Sequence, residues 1–270
     1  MEPVRVADVR LTEDDIQAAL AVLRSGALRQ GKECEAFEEA FAAKVGATYA
    51  LTNANGTASL HLAYMAALQP GDEVLVPAFT FIATASAVTA TGCRPIFCDV
   101  DPETFLLDLE DCAKRITPKT KAIVPVHLFG NVQSPEAVRA FADQHGLVVI
   151  WDAAQAHGAT YKGQGIGGWA DMSTYSFYPT KNLFVGEGGM VTTNNADYAH
   201  KIRYMRSHGQ TGPYVHTMHG LNYRMTDVEA AIGHSQLKRL DEMLASRTRN
   251  ARLLAEGLGG VPGLTPQRIT

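Results

Sequence analysis

Leu147-Val-Val-Ile-Trp-Asp-Ala-Ala-Gln-Ala-His-Gly158 is the stretch on which the fold turns. Its first five residues form a continuous apolar, largely β-branched run. That pattern fits a strand buried on both faces of a parallel sheet. Asp152 closes the run and so stands at the strand's carboxyl end, the edge at which open α/β sheets bind ligands. A carboxylate there can cap the next helix. It can also pair with a protonated ring nitrogen.

A second stretch gives that carboxylate a partner. Ser176-Phe-Tyr-Pro-Thr-Lys-Asn-Leu-Phe-Val-Gly-Glu-Gly-Gly189 reads as a strand end, a short polar loop with one lysine, and a Gly-rich turn into another strand. Lysines ordinarily lie solvated on the surface. Among small and aromatic residues, Lys181 is instead placed like an imine-forming nucleophile. A lysine to form an imine and an aspartate beside a pyridinium nitrogen are the pair that pyridoxal phosphate requires. Capping alone would explain Asp152 but not Lys181.

The pattern extends on both sides. Residues 12–25 predict a helix with Thr12 as N-cap and Gly26 after its end, and 33–45 a second helix stopped by Gly46. Strands are expected at 49–52, 73–76, 95–100, 122–126, 147–151, 174–177 and 190–193. Helices are expected between most of them, at 58–68, 81–91, 109–116 and 135–145. Alternation of this kind implies βαβ units and a mainly parallel sheet. Thr226-Asp-Val-Glu229 is a capping box, read as opening one long helix to about residue 258, before Gly259-Gly260.

The 270 residues are 46% hydrophobic and 19% charged, which suits one large globular domain with the start of a second. The net charge of −4 without a basic cluster argues against general nucleic-acid binding. No apolar run is long enough to span a bilayer, and residues 1–6 lack the features of a signal peptide. Cys34, Cys93, Cys98 and Cys112 show no CxxC spacing, so a reduced cytoplasmic protein is expected. His216 and His219 lack further nearby ligands, and no metal site is expected.

Asn53-Ala-Asn-Gly-Thr-Ala58 follows the first strand and opens a helix, so its backbone N–H groups form an anion cup. Gly56, Thr57 and Ala58 are assigned to a phosphate there, with the Ser176 hydroxyl as a further donor. An ordinary strand-to-helix turn would look similar. Phe81 follows another strand's carboxyl end and can stack on a flat heterocycle, although core packing is the commoner fate of a phenylalanine. Gly163-Gln-Gly-Ile-Gly-Gly168 lacks the strand-to-helix setting of a dinucleotide loop.

Seven blocks now resemble, in order, the DegT/StrS family of sugar aminotransferases, which are pyridoxal-phosphate enzymes of the aspartate-aminotransferase fold. They are Asn55-Gly-Thr-Ala-Ser-Leu-His-Leu-Ala, Val76-Pro-Ala-Phe-Thr-Phe, Val126-His-Leu-Phe-Gly, Asp152-Ala-Ala-Gln-Ala-His-Gly, Ser176-Phe-Tyr-Pro-Thr-Lys-Asn, Gly186-Glu-Gly-Gly and Gly220-Leu-Asn-Tyr-Arg-Met-Thr-Asp. The resemblance implies an α/β fold: a three-layer α/β/α domain around a mostly parallel seven-stranded sheet. Residues 1–235 would be the cofactor-binding large domain with its N-terminal helices. Residues 236–270 would be a long-helix link and the start of a truncated small C-terminal domain, since family members usually continue beyond this point.

The resemblance also implies roles. Lys181 would link to the cofactor and Asp152 would pair with its ring nitrogen. Gln155 would approach the ring hydroxyl and Phe81 would stack on the ring. Gly56, Thr57, Ala58 and Ser176 would hold the phosphate. Asn222 would reach the phosphate of a neighbouring subunit, implying a homodimer with shared active sites. Arg224 would help to bind substrate or shape its loop. The implied reaction moves an amino group from L-glutamate or L-glutamine to a keto sugar, with nucleotide-linked 4-keto-deoxysugars favoured. The alternatives are a keto-inositol acceptor and a non-catalytic regulator on the same scaffold. Deoxysugar dehydratases of the family carry histidine in place of the lysine, so Lys181 counts against that activity.

Overall fold

The computed structural model describes residues 9–270; residues 1–6, read above for signal features, lie outside the described residues. Seven strands form the central sheet: β1 (Tyr49–Asn53), β2 (Glu73–Pro77), β3 (Arg94–Cys98), β4 (Thr120–Ile123), β5 (Val148–Asp152), β6 (Met172–Ser176) and β7 (Gly189–Thr193). Their spatial order is β1-β7-β6-β5-β4-β2-β3. Only β7 runs against its neighbours, pairing antiparallel with both β1 and β6. The expected mostly parallel seven-stranded sheet is therefore present. All strands but β7 direct their carboxyl ends to one edge.

Helices cover both faces. They are α1 (Glu13–Ser25), α2 (Lys32–Val45), α3 (Gly56–Ala67), α4 (Ala83–Ala90), α5 (Leu109–Lys114), α6 (Pro135–His145), α7 (Ala196–Met205), α8 (Asp227–Leu237) and α9 (Leu240–Leu258). Phe37 and Phe41 of α2 pack on Tyr175 and Phe177, with Trp151, α6 and α8 completing that core. Leu51, Val76, Ile150 and Val191 face the other way, against α3, α4 and α7. This is the three-layer arrangement, and it explains why β5 is apolar along its whole length.

Three local readings need correction. The strand expected at 122–126 ends at Ile123, because Pro125 has no N–H to donate to a ladder; Val126 keeps only a single bridge to Asp152. The helix α7 was not expected, although Asn195 caps it by accepting from Asp197 and Tyr198 N–H. The single long helix from Thr226 is two helices, broken at Lys238–Arg239. No glycine or proline marks that break, so tertiary contacts make it. Gln236 is tied on one side to the backbone of Phe184, donating to its carbonyl at 2.7 Å and accepting from its N–H at 3.2 Å. On the other side Arg239 forms a bidentate pair with buried Asp15 of α1, at 2.8 and 2.6 Å. Division of the chain at 235/236 would fall within α8, two residues before its end.

Asp227 has a second structural role. Helix α2 lacks a side-chain cap of its own, since its N-cap is Gly31. The Asp227 carboxylate substitutes, accepting from Gly31 N–H at 2.7 Å and Cys34 N–H at 3.2 Å. The Thr226 capping box thus starts α8 and aims its first residue at the start of α2.

The Asp15–Arg239 pair yields a prediction. Burial alone would raise the Asp15 carboxyl; pairing with Arg239 and the Thr12 N–H outweigh it, and the net position is below the usual aspartate range. A depressed folded pKa contributes stability above the unfolded value of about 3.9 that is lost as pH falls through the folded value. Arg239→Ala leaves the carboxylate buried without its partner, at an expected cost of about 3–5 kcal/mol near neutral pH. Urea denaturation should show that loss at pH 7 and a much smaller difference from the parent protein at pH 2–3.

Candidate active site

The carboxyl ends of β1, β2, β5 and β6 open onto a cavity of about 660 Å³. Asn55 to Ala58, Thr80, Phe81, Asp152, Gln155, Ser176, Lys181, Glu187 and Tyr223 are among the residues lining it. Eight of the ten residues singled out from the sequence therefore meet in one place: Gly56, Thr57, Ala58, Phe81, Asp152, Gln155, Ser176 and Lys181. Asn222 and Arg224 do not line it. Asn222 is exposed and bridges Ser207, and Arg224 donates to the Ser207 hydroxyl at 3.0 Å.

Asp152 is 6% exposed. Its Oδ2 accepts from the Thr84 hydroxyl at 2.8 Å and its Oδ1 from Ala154 N–H at 3.1 Å. Burial pushes its carboxyl above the usual aspartate range, against the Thr84 and Ala154 hydrogen bonds and the positive field of Lys181. Lys181 moves in the complementary direction. Burial lowers its ammonium below the ordinary lysine value, while the Asp152 charge opposes that shift. The same desolvation thus brings both groups closer to neutrality. Lys181 is positioned by its N–H, which donates to Tyr178 O at 2.9 Å.

The anion cup is assembled by close approach. Asn55 is the N-cap of α3, its side chain accepting from Ala58 N–H at 2.9 Å. That uses the Ala58 donor, so the first-turn N–H groups without an intrahelical partner at the cavity are those of Gly56 and Thr57. A Cβ on Gly56 would lie 2.6 Å from the Ser176 Cβ. Glycine at 56 is thus what lets the α3 N-terminus and the β6 end share one cup. On the floor, a Cβ on Gly189 would lie 2.4 Å from both Asn55 O and Ser59 Oγ.

Phe81 is 71% exposed, so the core-packing reading does not hold; the ring stands at the cavity. Gln155 is oriented by Phe129, whose N–H donates to Gln155 Oε1 at 2.7 Å. Phe129 reaches it from a left-handed backbone at φ 59°. With Oε1 engaged, Nε2 is the end of the amide left to donate. His157 lies behind the site, tilted against the rings of Tyr175 and Phe177 at centroid distances of 5.7 and 5.6 Å. Burial, with the Lys181 charge, pushes it down to about 3, so it is neutral.

Thr84, Tyr178, Glu187 and Tyr223 join the site without having been assigned from sequence. Thr84 carries no sequence signal; only the packing of α4 on α3, β2 and β3 brings it to Asp152. Tyr223 belongs to the Gly220–Asp227 motif, and its hydroxyl is linked to His61 Nδ1 at 3.0 Å.

These residues fit pyridoxal phosphate. Two helix-terminal N–H groups and the Ser176 hydroxyl suit a phosphate. A buried carboxylate suits a protonated ring nitrogen, and a desolvated lysine suits covalent attachment. Among the described residues no cluster of three or more metal-ligating side chains occurs, and no helix is long and apolar enough to cross a membrane.

A model of the DegT/DnrJ/EryC1/StrS aminotransferase family matches residues 9–270. The chain is similar to the GDP-perosamine synthase of Caulobacter vibrioides, 48% identical over 216 residues that make up 79% of this chain and 58% of that protein. It is 42% identical to a pleiotropic regulatory protein of Geobacillus stearothermophilus, over 92% of this chain and 68% of that one. Among solved structures, DesV of S. venezuelae, determined with a ketimine intermediate, superposes with a TM-score of 0.91 at 38% identity, over 95% of this chain and 70% of that chain. The chain thus spans about 58–70% of the length of these three proteins.

Two glycines make the cup testable. Gly56→Ala should cost about 1–3 kcal/mol in urea denaturation of the cofactor-free protein, from overpacking against Ser176. Gly257→Ala, where the added methyl meets nothing within 4 Å, should instead stabilise by about 0.5–1 kcal/mol, because glycine is a poor helix former.

Proposed function

The chain belongs to the DegT/DnrJ/EryC1/StrS aminotransferase family, and from that membership we propose that it is a pyridoxal-phosphate-dependent aminotransferase. It takes an amino group from L-glutamate or L-glutamine and delivers it to a keto sugar, with a nucleotide-linked 4-keto-deoxysugar as the favoured acceptor. The observation that carries this reading is one cavity uniting a desolvated lysine, a buried carboxylate and a helix-terminal anion cup. A relative named as a GDP-perosamine synthase supports the nucleotide-sugar class. A regulatory relative keeps a regulator in view, but a binding role alone has no use for Lys181.

When bound, pyridoxal phosphate supplies a carbonyl that accepts amines and a ring that takes up the electron pair of a breaking Cα–H bond. The protein's residues do the rest. Gly56 and Thr57 N–H, with the Thr57 and Ser176 hydroxyls, would hold the phosphate. Asp152 would pair with the protonated ring nitrogen, and a buried carboxylate gains most from such a partner. Phe81 would cover the ring, and Gln155 Nε2 would donate to the ring hydroxyl. Lys181 Nζ would anchor the group covalently and, as a free amine, would accept and return a proton at the donor Cα. Its lowered pKa favours the neutral, proton-accepting amine.

The proposal includes a homodimer. Asn222 lies exposed outside its own cavity, where a second subunit's phosphate could meet it. Arg224 belongs to the same loop and is assigned to shaping it. The large domain at 1–235 and the linking segment at 236–270 remain part of this reading.

Purified protein incubated with pyridoxal phosphate should show a yellow absorbance band that borohydride fixes to Lys181 and that L-glutamate bleaches. Uptake should rise with pH through the Lys181 pKa, with a midpoint below that of an ordinary lysine. Lys181→Ala should abolish the fixed adduct. Asp152→Asn should slow bleaching by about 10²–10³-fold, as for removal of one preorganised charge. Wild-type turnover in Lys181→Ala would overturn the mechanism. A panel of keto sugars then identifies the acceptor.

A further inference from the structure

Glu187 is the single side chain in the turn Gly186-Glu-Gly-Gly189, and it lines the cavity beside Lys181. Its position is set by the sheet. Ser176 pairs with Gly189, and Phe177 N–H donates to Gly188 O at 2.8 Å. The Phe177 carbonyl in turn accepts from Val185 N–H at 2.9 Å, so Gly186 and Glu187 form a bend between these two bonds, and Glu187 joins Tyr178 in lining the cavity. The end of the turn is closely packed: Gly189 is seated against Asn55 and Ser59 with no room for a Cβ, and a Cβ on Gly188 would lie 2.6 Å from Val185 Cγ2.

Glu187 is exposed, and no hydrogen bond or ion pair occupies its carboxylate among the described residues. Asp152, the other carboxylate of the cavity, has two hydrogen bonds and is buried. The two differ accordingly in what they can receive. A carboxylate only accepts hydrogen bonds at neutral pH, and it repels a second anion. The anion cup lies in the same cavity, so Glu187 must serve a part of the ligand that carries donors and no negative charge. An amino-acid donor brings a carboxylate next to its amine. A sugar ring brings several neutral hydroxyls. We propose that Glu187 is a specificity-determining residue that accepts hydrogen bonds from hydroxyls of a hexose ring in the acceptor. This rests on the aminotransferase reading above and adds a recognition element to the same cavity.

The test measures binding as well as turnover, on the full chain loaded with pyridoxal phosphate. Calorimetry compares GDP-mannose with GDP, dTDP-glucose with dTDP, and UDP-N-acetylglucosamine with UDP. At least one sugar nucleotide should bind more tightly than its bare nucleotide. Glu187→Ala should weaken that sugar nucleotide by about tenfold or more, the worth of one hydrogen bond to a charged group, with the bare nucleotide bound as before. Glu187→Gln, which keeps an accepting oxygen, should recover part of the loss. The proposal is overturned if no pair shows a hexose gain, or if Glu187→Ala binds sugar and bare nucleotide as the parent does. It is also overturned if both affinities fall equally, or if the larger loss falls on the affinity for L-glutamate, which would assign the carboxylate to the donor. Failure of the aminotransferase reading looks different: L-glutamate would not bleach the parent protein, whatever Glu187 does to sugar binding.

Discussion

A carboxylate buried at the end of an apolar strand is costly unless something compensates it. Asp152 is in that position, with one hydroxyl and one N–H as its bonded partners. Much of the surrounding structure bears on this constraint. Helix α4 is packed so that Thr84 faces the carboxylate. The loop after β6 brings the Lys181 charge into its field. Burial raises the Asp152 carboxyl and lowers the Lys181 ammonium, so each is held in its charged form less firmly than in water. A cationic heterocycle entering the cavity would relieve the Asp152 cost, which gives the proposed cofactor a physical reason to bind there.

Close backbone approach is the second device. Gly56, Gly188 and Gly189 each occupy a place where a methyl group would collide with a neighbouring segment. Together they press the α3 N-terminus, the β6 end and the start of β7 into one floor. The same principle operates away from the site. A Cβ on Gly165 would lie 2.5 Å from Val45 O, so the Gly-rich stretch 163–168 packs on the end of α2 rather than cradling a dinucleotide.

Much of this was legible in the chain. The β5 run announced a strand buried on both faces, and Thr12, Gly26 and Gly46 marked helix ends that the structure reproduces. Eight of the ten singled-out residues converge on one cavity. The failures share a cause. Pro125, which cuts β4 short, stands in an apolar run that otherwise reads as one continuous strand. The break at Lys238–Arg239 was not visible, because it depends on Asp15 and Phe184, residues far away in sequence. Thr84 and the orientation of Gln155 by Phe129 are likewise set by contacts between distant elements.

By itself, then, the sequence determined the alternation of strands and helices, the edge at which Asp152 and Lys181 emerge, and the family. Those depend on periodicity, capping and motif order, which are local in the chain. Only the tertiary structure decided that Phe81 leaves the core and that Ala58's N–H belongs to Asn55 rather than to the cup. It alone placed Asn222 outside its own cavity and put an unpaired Glu187 in the cavity lining with Tyr178. Each of these turns on which atoms fill the space around a side chain, and that is settled when separate segments pack together.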